Sequence, residues 1–242
     1  MPSAVSSRTI PPLQKSPAGN MALNWRDIDR WVIGEAWAGS LIPAHAPELC
    51  DRIGVRWGGS EGDRRAAEYI RGQMESSGLH NARLEEFTLH SWEHGKAEAR
   101  VAGNGRDIKV LPFNRTPAVD VTGHLVDVGF GTPREIEAAG RGLKGAVAVM
   151  AIASEPFSPL MTLADRLKLV AQTGAAACVC VDRKAGGRVE YHSASDWRDS
   201  GLNEHPLPTV ATPREGGALL RKLAAEGKAL SLTVQSRFFD AP

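Results

Sequence analysis

Apolar residues fall in three patterns along this chain, and the densest stretch runs from Gly142 to Asp182. Residues 146–152 form an unbroken, valine-rich apolar run, the pattern of a strand buried on both faces. Leu160, Leu163, Ala164, Leu167 and Val170 follow at three- and four-residue steps, which places them on one helical face. Gly174 stands where a left-handed residue closes a helix without steric cost, and residues 175–181 are a second short apolar run. Strand, helix and strand of these lengths predict a βαβ unit.

The first third of the chain repeats the helical pattern. A helix starting at Asn24 or Asp27 carries Ile28, Trp31, Val32 and Ala36 on one side. A second is expected from Pro47, with proline at the first helical position, to Gly54. A third is capped by Ser60, with Asp63 three residues on, has a stripe of Ala66, Ala67, Ile70 and Met74, and closes at Gly78 with Leu79 behind it.

Between residues 82 and 110 the pattern shifts to period two. Leu84, Glu86 and Thr88 alternate with Glu85, Phe87 and Leu89, and further strands are expected over 97–101 and 108–111, parted by Gly103-Asn104-Gly105. Residues 121–129 predict another strand. Thr132-Pro133-Arg134-Glu135 supplies a cap, a proline at the first position and a capping glutamate. Residues 184–204 are polar and read as a loop. A strand over 207–211, an amphipathic helix over 214–225 and a closing strand over 230–234 complete the expectation of a mixed α/β (α+β) fold.

Composition removes several classes. The 242 residues carry 29 basic and 28 acidic side chains, interspersed, so no basic stripe invites nucleic acid. No apolar run approaches the ~20 residues that span a bilayer, and residues 1–20, rich in Ser and Pro, lack the apolar core of a secretory signal and read as a disordered tail. A cytoplasmic location is the default expectation, with no membrane partner. Cys50 falls in a helix, whereas Cys178 and Cys180 sit two apart in one strand and pack as small apolar residues.

Four constellations bear on chemistry. Gly58-Gly59-Ser60-Glu61-Gly62 matches the nucleophile-elbow pattern, but the residues before it make a poor buried strand, and Ser60 is better explained as a helix cap. His90 and His94 stand four apart, a metal pair only on a helix, and here the segment reads as a strand running into a turn at Gly95. Gly129-x-Gly131 lacks the third glycine and the acidic strand end of a dinucleotide loop. The loop Tyr191-His192-Ser193-Ala194-Ser195-Asp196-Trp197 groups side chains of the kind that line sites, with Tyr191, His192, Asp196 and Trp197 as substrate- or partner-contacting candidates.

Taken together, Ile33-Gly34-Glu35-Ala36-Trp37, Cys50-Asp51-Arg52-Ile53-Gly54, Arg56-Trp57-Gly58-Gly59-Ser60-Glu61-Gly62, Ala66-Ala67-Glu68-Tyr69-Ile70 and Ser77-Gly78-Leu79, with Glu85-Glu86-Phe87 and Trp92, resemble the opening of the zinc aminopeptidases of the di-zinc exopeptidase clan. Residues 118–237 resemble the protease-associated domain inserted in that family, through Leu125-Val126-Asp127-Val128-Gly129, Leu143-Lys144-Gly145-Ala146-Val147, Thr173-Gly174-Ala175-Ala176-Ala177 and Leu207-Pro208-Thr209-Val210. The resemblance implies an aminopeptidase-like segment over 21–117, a protease-associated domain over 118–237 and the start of a catalytic half at 238–242. In the family that half carries a His-x-Asp pair, an Asp-Asn and a Glu-Glu pair. This sequence has no His-x-Asp and no Asp-Asn, and its one Glu-Glu, Glu85-Glu86, is expected on a strand that sends the two carboxylates to opposite faces.

No catalytic residue and no metal ligand therefore carries over, and zinc is expected only in the missing half. The implied function is the non-catalytic front portion of a metallopeptidase-like protein, its protease-associated domain serving substrate access or peptide binding. The implied partners are a separate chain with the catalytic half or a peptide or protein ligand. The alternatives are a stand-alone interaction module of protease-associated type and, third, a serine hydrolase using Ser60. Without a catalytic sheet to cover, Trp31, Trp37, Ile70 and Met74 are expected to be partly exposed.

Overall fold

The computed structural model describes residues 25–193 and 205–241, and the chain divides into two compact units, residues 1–55 and 56–242. In the first unit, α1 (Trp25–Ala38) has no buried residue; Trp37 is 89% exposed and Trp31 half-buried. Pro47 ends α2 (Ile42–Pro47) instead of starting a helix, and the chain widens into a π-helical turn over Glu48–Ile53. A proline inside a helix has no N–H to donate backward, which favours this local rearrangement. Gly54 closes the turn at φ 75°, its N–H donating to the Leu49 carbonyl at 3.2 Å.

The second unit opens with α3 (Glu61–Ser76). The Ser60 hydroxyl accepts from the Asp63 N–H at 3.3 Å, while the Asp63 carboxylate accepts from the Gly59 N–H at 2.9 Å, one residue earlier than in a standard capping box. The helix ends as expected at Gly78, with the Leu79 N–H returning to the Met74 carbonyl at 3.0 Å. Of its apolar stripe only Ala66 is buried, and Ile70 and Met74 are exposed.

Residues 82–88 form no strand, contrary to their alternation: Leu84 and Phe87 are exposed, so no face exists for the pattern to cover. Glu85-Glu86 therefore lies in irregular chain, with Glu85 paired to Arg83 at 2.8 Å. The strand begins later and runs farther, as β1 (Leu89–Val101), followed by β2 (Asp107–Ile108), β3 (Leu111–Pro112) and β4 (Val119–Asp127). Then come α4 (Pro133–Ala139), β5 (Val147–Ala151), α5 (Leu163–Gln172), β6 (Ala177–Val181), β7 (Thr209–Thr212), α6 (Arg214–Ala225) and β8 (Ala229–Ala241).

All eight strands join one sheet in the order β2-β1-β8-β4-β5-β6-β7-β3. β4 through β7 run parallel, which makes β5–α5–β6 the expected βαβ unit, whereas β2, β1, β8 and β4 pair antiparallel. The strands on either side of residues 112–117 thus belong to the same sheet. Pro112 is tolerated because β3 is an edge strand. The closing strand extends past residue 234: Ser236–Asp240 pair with His90–His94, so residues 238–241 are the last rungs of β8. Gly95 and Lys96 sit opposite Gln235 as a bulge, where a turn was expected.

The parallel strands bury both faces. Val147, Val149, Val179 and Val210 share one core with Leu220 of α6 and with Ala99, Val101, Leu230 and Leu232 of the antiparallel strands. On the other face Ala148, Met150, Cys178 and Cys180 pack with Leu167 and Val170 of α5 and Ile136 of α4. α5 starts at Leu163, capped by Thr162, and not at Leu160, which stands in solvent. The sulfurs of Cys178 and Cys180 lie 3.8 Å apart on one face, and burial pushes the Cys180 thiol well above its ordinary range.

Candidate functional site

β6 delivers Asp182 at its C-terminal end, and the chain then leaves as a loop that returns through Glu190, Tyr191 and His192. Asp182 is only 4% exposed, and its carboxylate organises the loop. One oxygen accepts from the Lys184 N–H at 3.1 Å; the other accepts from the Glu190 N–H at 3.2 Å and contacts His192 Nε2 at 2.9 Å. Burial opposes ionisation of this group, but the His192 imidazole and the two backbone donors outweigh it and hold its pKa at about 2.

Further contacts fix the loop to the sheet and to α6. The Asn114 N–H donates to the His192 carbonyl at 2.9 Å, and Lys109 Nζ to the Gly187 carbonyl at 2.7 Å. The Glu215 carboxylate accepts from the N–H groups of Gly186 at 2.7 Å and Gly187 at 3.4 Å, which lowers its pKa. Lys184 and Glu190 form an ion pair across the loop. Rings pack below it: Phe113 lies 5.5 Å from the His192 ring and 5.7 Å from His205, whose burial drops its pKa to about 4 against an opposing backbone bond at Asn114.

Tyr191 faces a different neighbour, with its ring 5.0 Å from Trp57. Trp57 in turn meets Trp92 at 5.7 Å and His94 at 6.2 Å, so the loop borders a partly exposed aromatic cluster. Partial burial raises the Tyr191 phenol far above its usual range.

Tyr191 and His192 are chain neighbours that turn to different partners, Trp57 and Asp182, while Asp196 and Trp197 lie outside the described residues. Asp182 and Glu190 were missed. The signals available were an acidic residue ending a buried apolar strand and a Glu-x-His spacing. Oxygen and nitrogen ligand atoms of Asp182, Glu190 and His192 all lie within 4.8 Å of one another.

The other sequence candidates have local explanations. Ser60 accepts the Asp63 N–H as a cap. His90 meets Asp240 at 2.8 Å and stacks on Phe238, whereas His94 Nδ1 contacts the Gly95 carbonyl. Four residues apart on one strand separate their backbones by about 13 Å, too far to share an ion. Gly129 and Gly131 have positive φ and serve packing: a Cβ at Gly129 would lie 2.0 Å from Glu135 Oε1, and one at Gly131 2.2 Å from Met150 Sδ.

A concavity of about 580 Å³ lies between the start of α4 and the loop 154–161, with Arg166 in its wall. The buried guanidinium donates to the carbonyls of Phe130, Ala151, Ile152 and Ala153 at 2.7–3.0 Å, so it ties the ends of β4 and β5 to α5. Nearby, Glu135 accepts from the N–H groups of Phe130 and Thr132 and from the Thr132 hydroxyl, completing the expected capping box. These bonds outweigh partial burial and lower its pKa.

Among solved structures, an aminopeptidase from Aneurinibacillus sp. strain AM-1 matches 77% of this chain at 24% identity and TM-score 0.52. A zinc aminopeptidase from Bacillus subtilis matches 80% at 18% identity and TM-score 0.54. A peptidase M28 precursor from Shewanella amazonensis SB2B matches 89% at 18% identity and TM-score 0.62. This chain shares its fold with solved zinc aminopeptidases. It spans 42%, 44% and 51% of those three chains, respectively. No family model and no curated protein matches it. Among the described residues, no helix is long and apolar enough to cross a membrane.

Proposed function

We propose that this chain is the non-catalytic front portion of a zinc aminopeptidase-like protein, with a protease-associated domain that binds peptide or governs its access. The observation that carries the reading is a fold likeness covering most of this chain but about half of the solved aminopeptidases, joined to a sequence without the family's metal-site motifs. The catalytic zinc and the general base then belong to the part of the family fold that these residues do not include. Within residues 56–242, Ile70 and Met74 of α3 are exposed, which supports a role for that further part of the fold in covering them. The anchored loop 182–193 and the Tyr191–Trp57 rings are the natural peptide-contacting rim.

Hydrogen exchange of the full chain, with and without a short unblocked peptide, tests the peptide role. Added protection over residues 184–193 is expected, and unchanged exchange there at saturating peptide contradicts it. The runner-up, a stand-alone interaction module, draws support from the sheet's two fully buried cores within residues 56–241. Co-purification with a chain bearing the family's metal motifs favours the first reading over this one.

A further inference from the structure

We propose that Asp182, Glu190 and His192 form a binding site for one divalent first-row metal ion, zinc by ligand type, at the loop after β6. The site goes beyond the functional reading above and does not depend on it, since a non-catalytic chain can carry or lack a loop metal. Two carboxylates and one imidazole are a mixed oxygen and nitrogen set of the kind zinc accepts, and three protein ligands leave a fourth position for water.

The geometry is already near that of a coordination shell. Ligand bonds of about 2.0–2.2 Å place neighbouring donors of a tetrahedral ion roughly 3.3–3.6 Å apart. His192 Nε2 and Asp182 Oδ2 are 2.9 Å apart, and all three ligand atoms lie within 4.8 Å. Closing the shell therefore needs side-chain shifts of about 1–2 Å and no refolding of the loop. Asp182 is buried at a strand end, while Asn114, Lys109 and Glu215 hold the returning chain, so the donors are positioned before any ion arrives.

Electrostatics favour the same conclusion. Two carboxylates held this close repel each other, and the metal-free loop offsets that repulsion with His192 against Asp182 and Lys184 against Glu190. A dication at the centre neutralises both carboxylates at once. Binding displaces the Lys184 ammonium, which is half-exposed and can swing into water, and requires the neutral imidazole with Nε2 free to coordinate. Lys184 is thus a built-in competitor, and its removal has a defined consequence.

The test is zinc titration of tag-free, metal-stripped full chain, by calorimetry or against a chromophoric chelator. One zinc per chain is expected, with affinity at least tenfold weaker in both Glu190→Gln and His192→Ala, and retained or tighter in Lys184→Ala. Glu190 is exposed, so Glu190→Gln reads the site without threatening the fold, and circular dichroism of each metal-free variant checks this. The proposal is overturned by the absence of stoichiometric zinc, by affinity unchanged in Glu190→Gln and His192→Ala, or by weaker binding in Lys184→Ala.

Discussion

Replacing Asp182 by Asn tests how the loop after β6 is held. The substitution preserves shape but removes the charge that accepts from the Lys184 N–H, the Glu190 N–H and His192. One end of the new amide must also face a donor with a donor. The folded pKa of about 2 lies below the ordinary value of 3.8. At about 1.4 kcal/mol per tenfold change, that difference contributes about 2 kcal/mol of stability at neutral pH. Because the folded pKa is the lower one, this contribution is present above pH 3.8 and is lost as pH falls toward 2. Urea unfolding followed by tryptophan fluorescence should find the variant about 2–3 kcal/mol less stable at pH 7. The gap should shrink steadily between pH 5 and the lowest pH at which both chains fold, as protonated Asp comes to resemble Asn. A gap under about 0.5 kcal/mol at pH 7, or one that does not change with pH, would refute this account of the loop.

Substitutions at three other positions probe the scaffold. Arg166→Met strips four partly buried carbonyls of their donor and should cost about 3–5 kcal/mol by the same unfolding assay, with Arg166→Lys recovering only part because it lacks the planar fork. Gly131→Ala adds a Cβ 2.2 Å from Met150 Sδ at a φ of 72°, so a loss of about 2–4 kcal/mol is expected in thermal melts. Phe157 is fully exposed at φ 63°; Phe157→Asn should be neutral or stabilising by up to about 1 kcal/mol, and a clear loss of melting temperature would mean that its ring has an unseen role.

What could be read from the sequence was local. The βαβ unit, the Thr132–Glu135 capping box and the helix Arg214–Ala225 are each specified by neighbours a few residues apart, and each stands in the structure where the pattern put it. The partnership of Leu89–Val101 with Ala229–Ala241 was not legible, because its rungs join residues more than a hundred positions apart and its outer half mixes Trp92, Phe238 and Phe239 with charged residues. The alternation over residues 82–88 misled for the opposite reason: a period of two makes a strand only where a partner strand and a core face exist. At the candidate site, Tyr191 and His192 stood out as a polar loop. Asp182 did not, because at the end of an apolar run it passes for the first loop residue, and only the returning chain reveals the three donors that gather on its carboxylate.

Our proposed reading holds that these residues do not themselves hydrolyse peptides. Its most direct test is the release of free amino acid from unblocked peptides by purified full chain, with zinc supplied and a chelator-treated control. The account predicts no turnover above the blank, whether or not zinc occupies the loop. Chelator-sensitive amino-acid release that co-purifies with the chain would contradict it.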